Sequence, residues 1–383
     1  GIKKLAPTSV MLLFAIMYFA LMIDSGLFDP SIKWILKMVK GDPLKITLGT
    51  VFLTLTVSLD GDGSTTYMIC VAAMMPLYKR IGMNPLVMTC LMLLSSGVMN
   101  LTPWGGPTAR AASALQVDAS HVFIPMIPSM LVAIIWLFFL AYLYGKYERK
   151  RLGVISIDNI SHADNLTISK DPDAQRPHLR WFNGTLTLVL MAALVKGILP
   201  MPILFMLGFC IALVVNYPCL QMQKKRIATH ADSVLAVVGV IFAAGVFTGI
   251  LTGTGMVESM SKQFVALIPA SMGPYMAPIT GALSMPLTFF MSNDAFYFGV
   301  LPILAEAATQ YGIEPVEIAR ASIIGQPIHL LSPLVPSTYL LCGLAAVEFA
   351  DHQKFTLKWA FMTCCVLMGS ALVFGVFPLV SMI

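Results

Sequence analysis

Charge is scarce in this sequence: Asp, Glu, Lys and Arg make up 11% of its 383 residues, against about 25% in soluble domains. Because 57% of the residues are hydrophobic, too little polar surface is left to cover a water-soluble globule, and that class is excluded. Paired cysteine motifs are also lacking. The seven cysteines (Cys70, Cys90, Cys210, Cys219, Cys342, Cys364, Cys365) are odd in number and form no CxxC spacing, which excludes zinc and redox frameworks and leaves them to be read as small buried hydrophobes. No HExxH, GxSxG or other paired catalytic motif stands out, so a membrane-embedded enzyme is the weakest of the competing functions. The net charge is +5, but the basic residues sit in short loops without interleaved aromatics, which argues against a nucleic-acid partner.

Long apolar blocks are abundant: Leu5 to Ile23, Phe123 to Tyr144, Trp181 to Val195, Ile203 to Val215, Val234 to Leu251 and Phe361 to Val380. Blocks of roughly 16 to 22 residues are long enough to cross a bilayer as helices. The chain therefore reads as an all-α polytopic membrane protein, expected in the cell membrane (bacterial inner or plasma membrane) in contact with lipid.

Self-comparison reveals a near-constant offset. Gly26 and Asp29 match Gly255 and Glu258 at 229, Pro43 matches Pro274 at 231, and Gly49 and Asp62 match Gly281 and Asp294 at 232. Gly82, Pro85 and Thr108 match Gly312, Pro315 and Thr338 at 230. The agreement falls on backbone-breaking residues and acids, so it predicts a duplicated architecture. Each copy reads as a spanning helix, a short amphipathic segment, a re-entrant hairpin, a broken helix and a final span. Counting a helix near 5 to 23, a broken helix over 85 to 116, a helix over 122 to 145 and helices over 181 to 197 and 199 to 217 gives an odd number of crossings, so the two repeats are expected to be inverted. The expected organisation is a first repeat over 1–147, a cytoplasmic linker over 148–180 and a second repeat over 181–383. Within the linker, Ser156 to Pro177 is polar and without apolar periodicity, the pattern of a mobile tether. That orientation puts 18 of the 24 basic residues inside, as the positive-inside rule requires. The offset also maps the helices at 181 to 219 before residue 1, so roughly 50 residues carrying two more crossings are expected upstream of Gly1.

Non-helical backbone at membrane depth is tolerated only where protein or a watery cavity satisfies it. Four breaks are predicted: Leu59-Asp-Gly-Asp-Gly-Ser-Thr-Thr66, Met99-Asn-Leu-Thr-Pro-Trp-Gly-Gly-Pro-Thr-Ala-Arg110, Met291-Ser-Asn-Asp-Ala295, and Gln326-Pro-Ile-His-Leu-Leu-Ser-Pro-Leu-Val-Pro-Ser-Thr338. Glycines permit unwinding, prolines stop helices, and hydroxyls, amides and half-helix N-termini supply donors for an anion. The expected substrate ligands are Ser64, Thr65, Asn100, Thr102, Gly105, Gly106, Thr108, Ser292, Asn293, His329 and Ser332. Asp60, Asp62 and Asp294 lie where an ionised carboxylate costs about 2.5 to 3.5 kcal/mol, so each needs a cation, a proton or several hydrogen bonds. Hard oxygen ligands of this kind suit Mg²⁺, Ca²⁺ or Na⁺. An EF-hand is a poorer reading, because Val71 stands where the twelfth-position Glu is required. A simple helix-capping turn at Asp60 to Gly63 is the bland alternative. His329 could carry a proton, bind a carboxylate or be tied to a neighbour; Arg110 could clamp a carboxylate or snorkel to the outer surface.

At these residues the chain resembles the citrate-metal:proton symporter family, CitMHS, of the ion transporter superfamily. The likeness covers the whole chain and is sharpest at Leu59 to Thr66, Asn100 to Thr108, Ser292 to Gly299 and Gln326 to Pro333. It implies a proton-coupled secondary transporter for citrate complexed with a divalent metal such as Mg²⁺ or Ca²⁺. It also implies an elevator-like movement of the hairpins and broken helices against a homodimeric scaffold, and no resident cofactor. Sodium-coupled relatives carry Ser-Asn-Thr at their tips, whereas here the tips are Asp-Gly-Asp-Gly-Ser-Thr and Ser-Asn-Asp, which fits metal or proton handling. A cation:proton antiporter or another organic-anion carrier of the superfamily is the alternative.

Overall fold

A computed structural model describes residues 2–30, 41–61, 63–154, 171–267 and 270–381. The described residues are helical, with no strand among them. The amphipathic segment expected before Pro43, residues 155–170 of the expected linker, and Asp62 fall outside the described residues, as does the Asp60 side chain.

Five described helices are long and apolar enough to cross a membrane: α1 (Ile2–Asp24), α6 (Ala119–Leu152), α7 (Arg180–Val195, with the turn before it), α9 (Leu220–Gly253) and α16 (Phe349–Val373). α8 (Met201–Asn216) is shorter but wholly apolar in character. The chain is a multi-pass membrane protein.

Between the long helices lie interrupted ones. α2 (Pro43–Val57) turns through Ser58–Asp60 into α3 (Gly63–Ile81), forming the first hairpin. α4 (Pro85–Met99) breaks and resumes as α5 (Gly106–Leu115). After α9 and α10 (Met256–Leu267) the succession recurs. α11 (Met276–Phe290) turns into a π-helical stretch, Ala295–Val300, continued by α12 (Leu301–Thr309). α13 (Pro315–Ser322) runs through a 3₁₀ turn into α14 (Gln326–His329), breaks, and resumes as α15 (Pro336–Ala345).

Local chemistry sets these boundaries. Asn84 Oδ1 accepts from Leu86 N at 2.9 Å with Pro85 at the first helical position. Its counterpart Glu314 precedes Pro315 in a capping box closed by Glu317 Oε2 at 2.9 Å from Glu314 N. Both devices satisfy donors that a helix start leaves orphaned. The matched glycines Gly82 and Gly312 both adopt left-handed backbone, at φ 76° and 71°. So do Gln116 and Ala346, the caps of α5 and α15.

Packing crosses between the two halves. α3 of the first hairpin lies against α15, while the π-helical stretch of the second hairpin lies against α5. α4 meets α14, and α6 meets α16. α1 packs on α8 and α9, and α1 and α9 also touch α5 and the hairpin turns. Hydroxyls inside the hairpins satisfy themselves on their own helices: Thr50, Thr54, Thr280 and Thr288 each donate to the carbonyl four residues earlier at 2.6–2.8 Å, the usual outlet for a buried hydroxyl.

Two sequence expectations need adjustment. α6 runs to Leu152 rather than stopping near 145, because its charged last turn is pinned: Arg151 reaches Gly82 O at 2.9 Å and Glu148 at 2.5 Å, and Arg149 reaches Asp42 at 3.4 Å. The cysteines are not uniformly buried. Cys210, Cys219 and Cys365 are exposed on the chain, the first and last of them on outward faces of α8 and α16, where apolar character reflects a non-aqueous surrounding rather than a core.

Candidate functional site

The first break is a tight turn between α4 and α5. Gly105 N donates to Thr102 O at 2.8 Å, and Asn100 Oδ1 accepts from Gly106 N at 3.3 Å, capping α5. The chain closes so far that a Cβ on Gly105 would lie 1.9 Å from Asn100 O, so only glycine fits there. Thr108 Oγ1 donates back to Leu101 O at 2.8 Å, satisfying a carbonyl that the break would strand. Trp104 Nε1 donates to Leu59 O at 2.8 Å, and its ring lies 5.1 Å from those of Phe19 and Phe205. Gly61 sits beside that ring with φ 77°, and a Cβ there would meet Trp104 Cδ1 at 3.0 Å. Trp104 thus pins the first hairpin tip to the first break.

The second tip is built differently. Ser292 Oγ accepts from Ala295 N at 3.2 Å, and Asn293 Oδ1 accepts from Gln326 Nε2 at 3.3 Å. Asp294 forms an ion pair with Arg110 of α5, Nε to Oδ1 at 2.6 Å. In the second break, His329 Nδ1 lies 2.6 Å from Thr288 O. A carbonyl only accepts, so Nδ1 carries a proton and donates it to Thr288 O. Ser332 Oγ accepts from Leu334 N at 3.2 Å, and Thr338 Oγ1 donates to Leu330 O.

Tips and breaks converge on one cavity of about 640 Å³. Its polar lining comes from Ser64 and Thr65 of the first hairpin, Ser96, Asn100, Gly106 and Arg110 of the first broken helix, Asn293 of the second tip, and His329 and Ser337 of the second break. The opposite wall is apolar, formed by Leu12, Ile16 and Ala20 of α1 and Val237, Val240 and Ile241 of α9. The first turns of α3, α5 and α15 border the cavity. Helix N-termini present backbone N–H groups and the positive end of the dipole, so three of them around one space favour an anion. A water-accessible space also supplies what the broken backbone needs.

Of the residues singled out from sequence, Ser64, Thr65, Asn100, Gly106, Asn293 and His329 line the cavity, and Asp294 reaches it through Arg110. Gly105, Thr108 and Ser332 stand behind it and shape the breaks. The Thr102 hydroxyl is buried with no hydrogen-bond partner among the described residues, and Ser292 caps the second tip. Arg110, the clamp candidate, also lines it, and so do Ser96, Trp104, Ser337 and His230, which were not expected as ligands. Ser96 was legible in principle, lying four residues before Asn100 and therefore on the same helix face. Arg320 is not part of the site: it donates to His121 O and Val376 O at 2.8–3.0 Å. Among the described residues no group of three or more His, Cys, Asp or Glu forms a metal cage.

One end of the cavity is held by an ionic cluster. His230 Nε2 lies 2.8 Å from Asp24 Oδ2, which also takes Arg226 at 3.2 Å. Arg226 in turn reaches Asp171, which Lys225 approaches to 2.9 Å. Hydrogen bonds from Lys225 and Arg226 pull the Asp171 carboxyl down from 3.8 to about 2. The cluster ties the end of α1, the start of α9 and the segment preceding α7 together.

Comparison with known proteins agrees with this architecture. The chain is 61% identical over 379 residues to the citrate transporter of Bacillus subtilis (strain 168), covering 98% of this chain and 87% of that one. It is 53% identical over 375 residues to the Mg(2+)/citrate complex secondary transporter of the same organism, with the same coverage. Its fold is shared with the MtrF antimetabolite efflux pump of Neisseria gonorrhoeae at a TM-score of 0.65 and 13% identity, covering 97% of this chain and 82% of that one. It is also shared with the YdaH transporter of Alcanivorax borkumensis at a TM-score of 0.59 and 12% identity, covering 99% and 88%. The match to the citrate transporter family model extends over residues 4–325, and with these relatives it shows that the chain belongs to the CitMHS citrate transporter family, whose members are transporters and not enzymes.

Proposed function

We propose that this chain is a secondary active transporter that imports citrate complexed with a divalent metal, Mg²⁺ or Ca²⁺, together with protons. The observation that carries this reading is the cavity itself: three helix N-termini, Arg110 and a set of hydroxyls and amides face one space, with the Asp294 carboxylate at its edge. The first group suits carboxylates and the second a hard cation. Arg110 in the lining disfavours a site for a bare cation, and so speaks against a cation:proton antiporter. A relative at 53% identity carries the Mg(2+)/citrate complex by name, in keeping with the metal being cargo rather than a resident cofactor.

The recurrence of element order about 230 residues apart supports two inverted repeats, 1–147 and 181–383, joined by a cytoplasmic linker over 148–180 in the cell membrane. The hairpins and broken helices of the two halves interlock, and α1, packed on α8 and α9, borders this group together with α9 at α5 and the hairpin turns; elevator-like movement would slide the first group along that border. Exposed Leu188, Val189, Ile211 and Val214 give α7 and α8 an apolar outer face for lipid and for a homodimer. Asp60, Asp62, Asp294 and His329 are the groups assigned to metal and proton handling.

Uptake of labelled citrate into proteoliposomes tests the function, with Mg²⁺, Ca²⁺, Zn²⁺ or no metal and with potential and pH gradient imposed separately. Fully ionised citrate with one divalent ion keeps a single negative charge, so two protons make the load positive. An inside-negative potential then assists entry by about 2.3 kcal/mol per 100 mV, roughly fiftyfold. Metal-independent uptake removes the complex from the account, and uptake indifferent to both gradients removes the protons.

A further inference from the structure

We infer that Arg110 and Asp294 form an exchangeable ion pair that makes the site accept metal-bound citrate and reject either component alone. The inference rests on the reading of the chain as a metal-citrate carrier and assigns its selectivity to two named side chains. The pair joins the two halves: Arg110 projects from the helix after the first break, Asp294 from the second hairpin tip, with 2.6 Å between Nε and Oδ1. Arg110 is seated rather than free, since Nη1 also donates to Gly106 O at 3.2 Å. A Cβ on Gly106 would come within 2.9 Å of that nitrogen, so the bare glycine is what lets the guanidinium lie against the helix start. Histidines aside, Arg110 is the one charged residue among the described residues lining the cavity.

The two partners have opposite ligand preferences. A guanidinium binds a carboxylate through a planar fork, and a carboxylate binds a hard cation. Facing each other directly, each satisfies the other. Free citrate that captured Arg110 would leave Asp294 unpaired beside a polyanion, and a bare metal ion that captured Asp294 would leave Arg110 facing a cation. Only a ligand presenting anion and cation together replaces one salt link by two. The side chains are 23% and 49% exposed, so the pair is accessible enough to open, as ion pairs near water are weakly held. The same exchange keeps the second tip bridged to the first broken helix when the site is empty and when it is loaded, but not when it is half filled.

The test uses the full chain in detergent, with Mn²⁺ as the metal probe followed by electron paramagnetic resonance and labelled citrate followed by equilibrium binding. Wild-type protein is expected to bind citrate with Mn²⁺ present, but neither Mn²⁺ without citrate nor citrate with chelator. Arg110→Gln is expected to lose at least tenfold in affinity for the complex and to gain binding of Mn²⁺ alone. Asp294→Asn is expected to lose the complex similarly and to gain binding of citrate in chelator. A merely structural pair would not produce these crossed gains, and their absence in folded variants overturns the exchange. Should a single variant fail to fold, Arg110→Asp combined with Asp294→Arg keeps the two charges in contact. That protein is expected to bind the complex and neither component alone, and its binding nothing while folded overturns the inference. Wild-type protein that carries no metal-citrate in proteoliposomes would refute the transport reading instead.

Discussion

Replacing Gly105 by alanine should damage the first break more than its small size suggests. Gly105 has φ −67° and ψ 148°, a conformation any residue adopts, so the effect is purely steric. The new methyl would sit 1.9 Å from Asn100 O, 2.7 Å from Asn100 C and 3.0 Å from Thr102 O. All three are backbone atoms, and no side-chain rotation relieves them. The turn must open, releasing the bond from Gly105 N to Thr102 O and the cap from Gly106 N to Asn100 Oδ1. Each is worth about 0.5–1.5 kcal/mol net, and a buried group left unpaired costs about 1–3 kcal/mol. The total expected loss is therefore on the order of 2–6 kcal/mol. Thermal unfolding of purified protein in detergent should show a lowered midpoint for Gly105→Ala, and uptake should fall more than tenfold because Asn100 and Gly106 move with the turn. Gly106→Ala is the control: its methyl meets only the tip of Arg110, so it should leave the midpoint near wild type while weakening uptake. An unchanged midpoint and uptake in Gly105→Ala would refute the steric argument.

Thr108→Val keeps shape but strands the Leu101 carbonyl, and should cost about 1–3 kcal/mol of stability with little change in citrate affinity; a large affinity loss at unchanged stability would place this hydroxyl in the binding site instead. Asp171 titrates below its ordinary value in the folded chain, so its stabilising contribution is present above about pH 4 and is lost as pH falls through about 2. The stability difference between wild type and Asp171→Asn should accordingly shrink over that window, and a difference constant with pH would show that the Lys225 and Arg226 contacts do not stabilise the fold.

Much of the fold was legible because its signals are local. Asn84-Pro85 and Glu314-Pro315 start helices wherever they occur on an apolar chain, and Gly82 and Gly312 turn left because they lack a Cβ. The breaks were legible for the same reason, since Gly105-Gly106-Pro107 and Pro333 to Pro336 interrupt a helix without help from neighbours. The face that each polar residue presents was not. Thr108 and Ser332 carry the same hydroxyl as Ser64, Ser96 and Ser337, yet the first two turn onto stranded backbone groups while the others line the cavity.

The sequence by itself determined that the chain crosses a membrane many times, that it does so as helices, and that these helices break at four polar points. Composition and chain-breaking residues act within a few positions of themselves, so no partner is required to read them. Only the tertiary structure decided which polar groups share the cavity. Arg110 meets Asp294 from 184 residues away, and His230 meets Asp24 from 206 away. Such contacts depend on how helices from both halves interlock, and neither spacing nor residue type encodes that geometry locally.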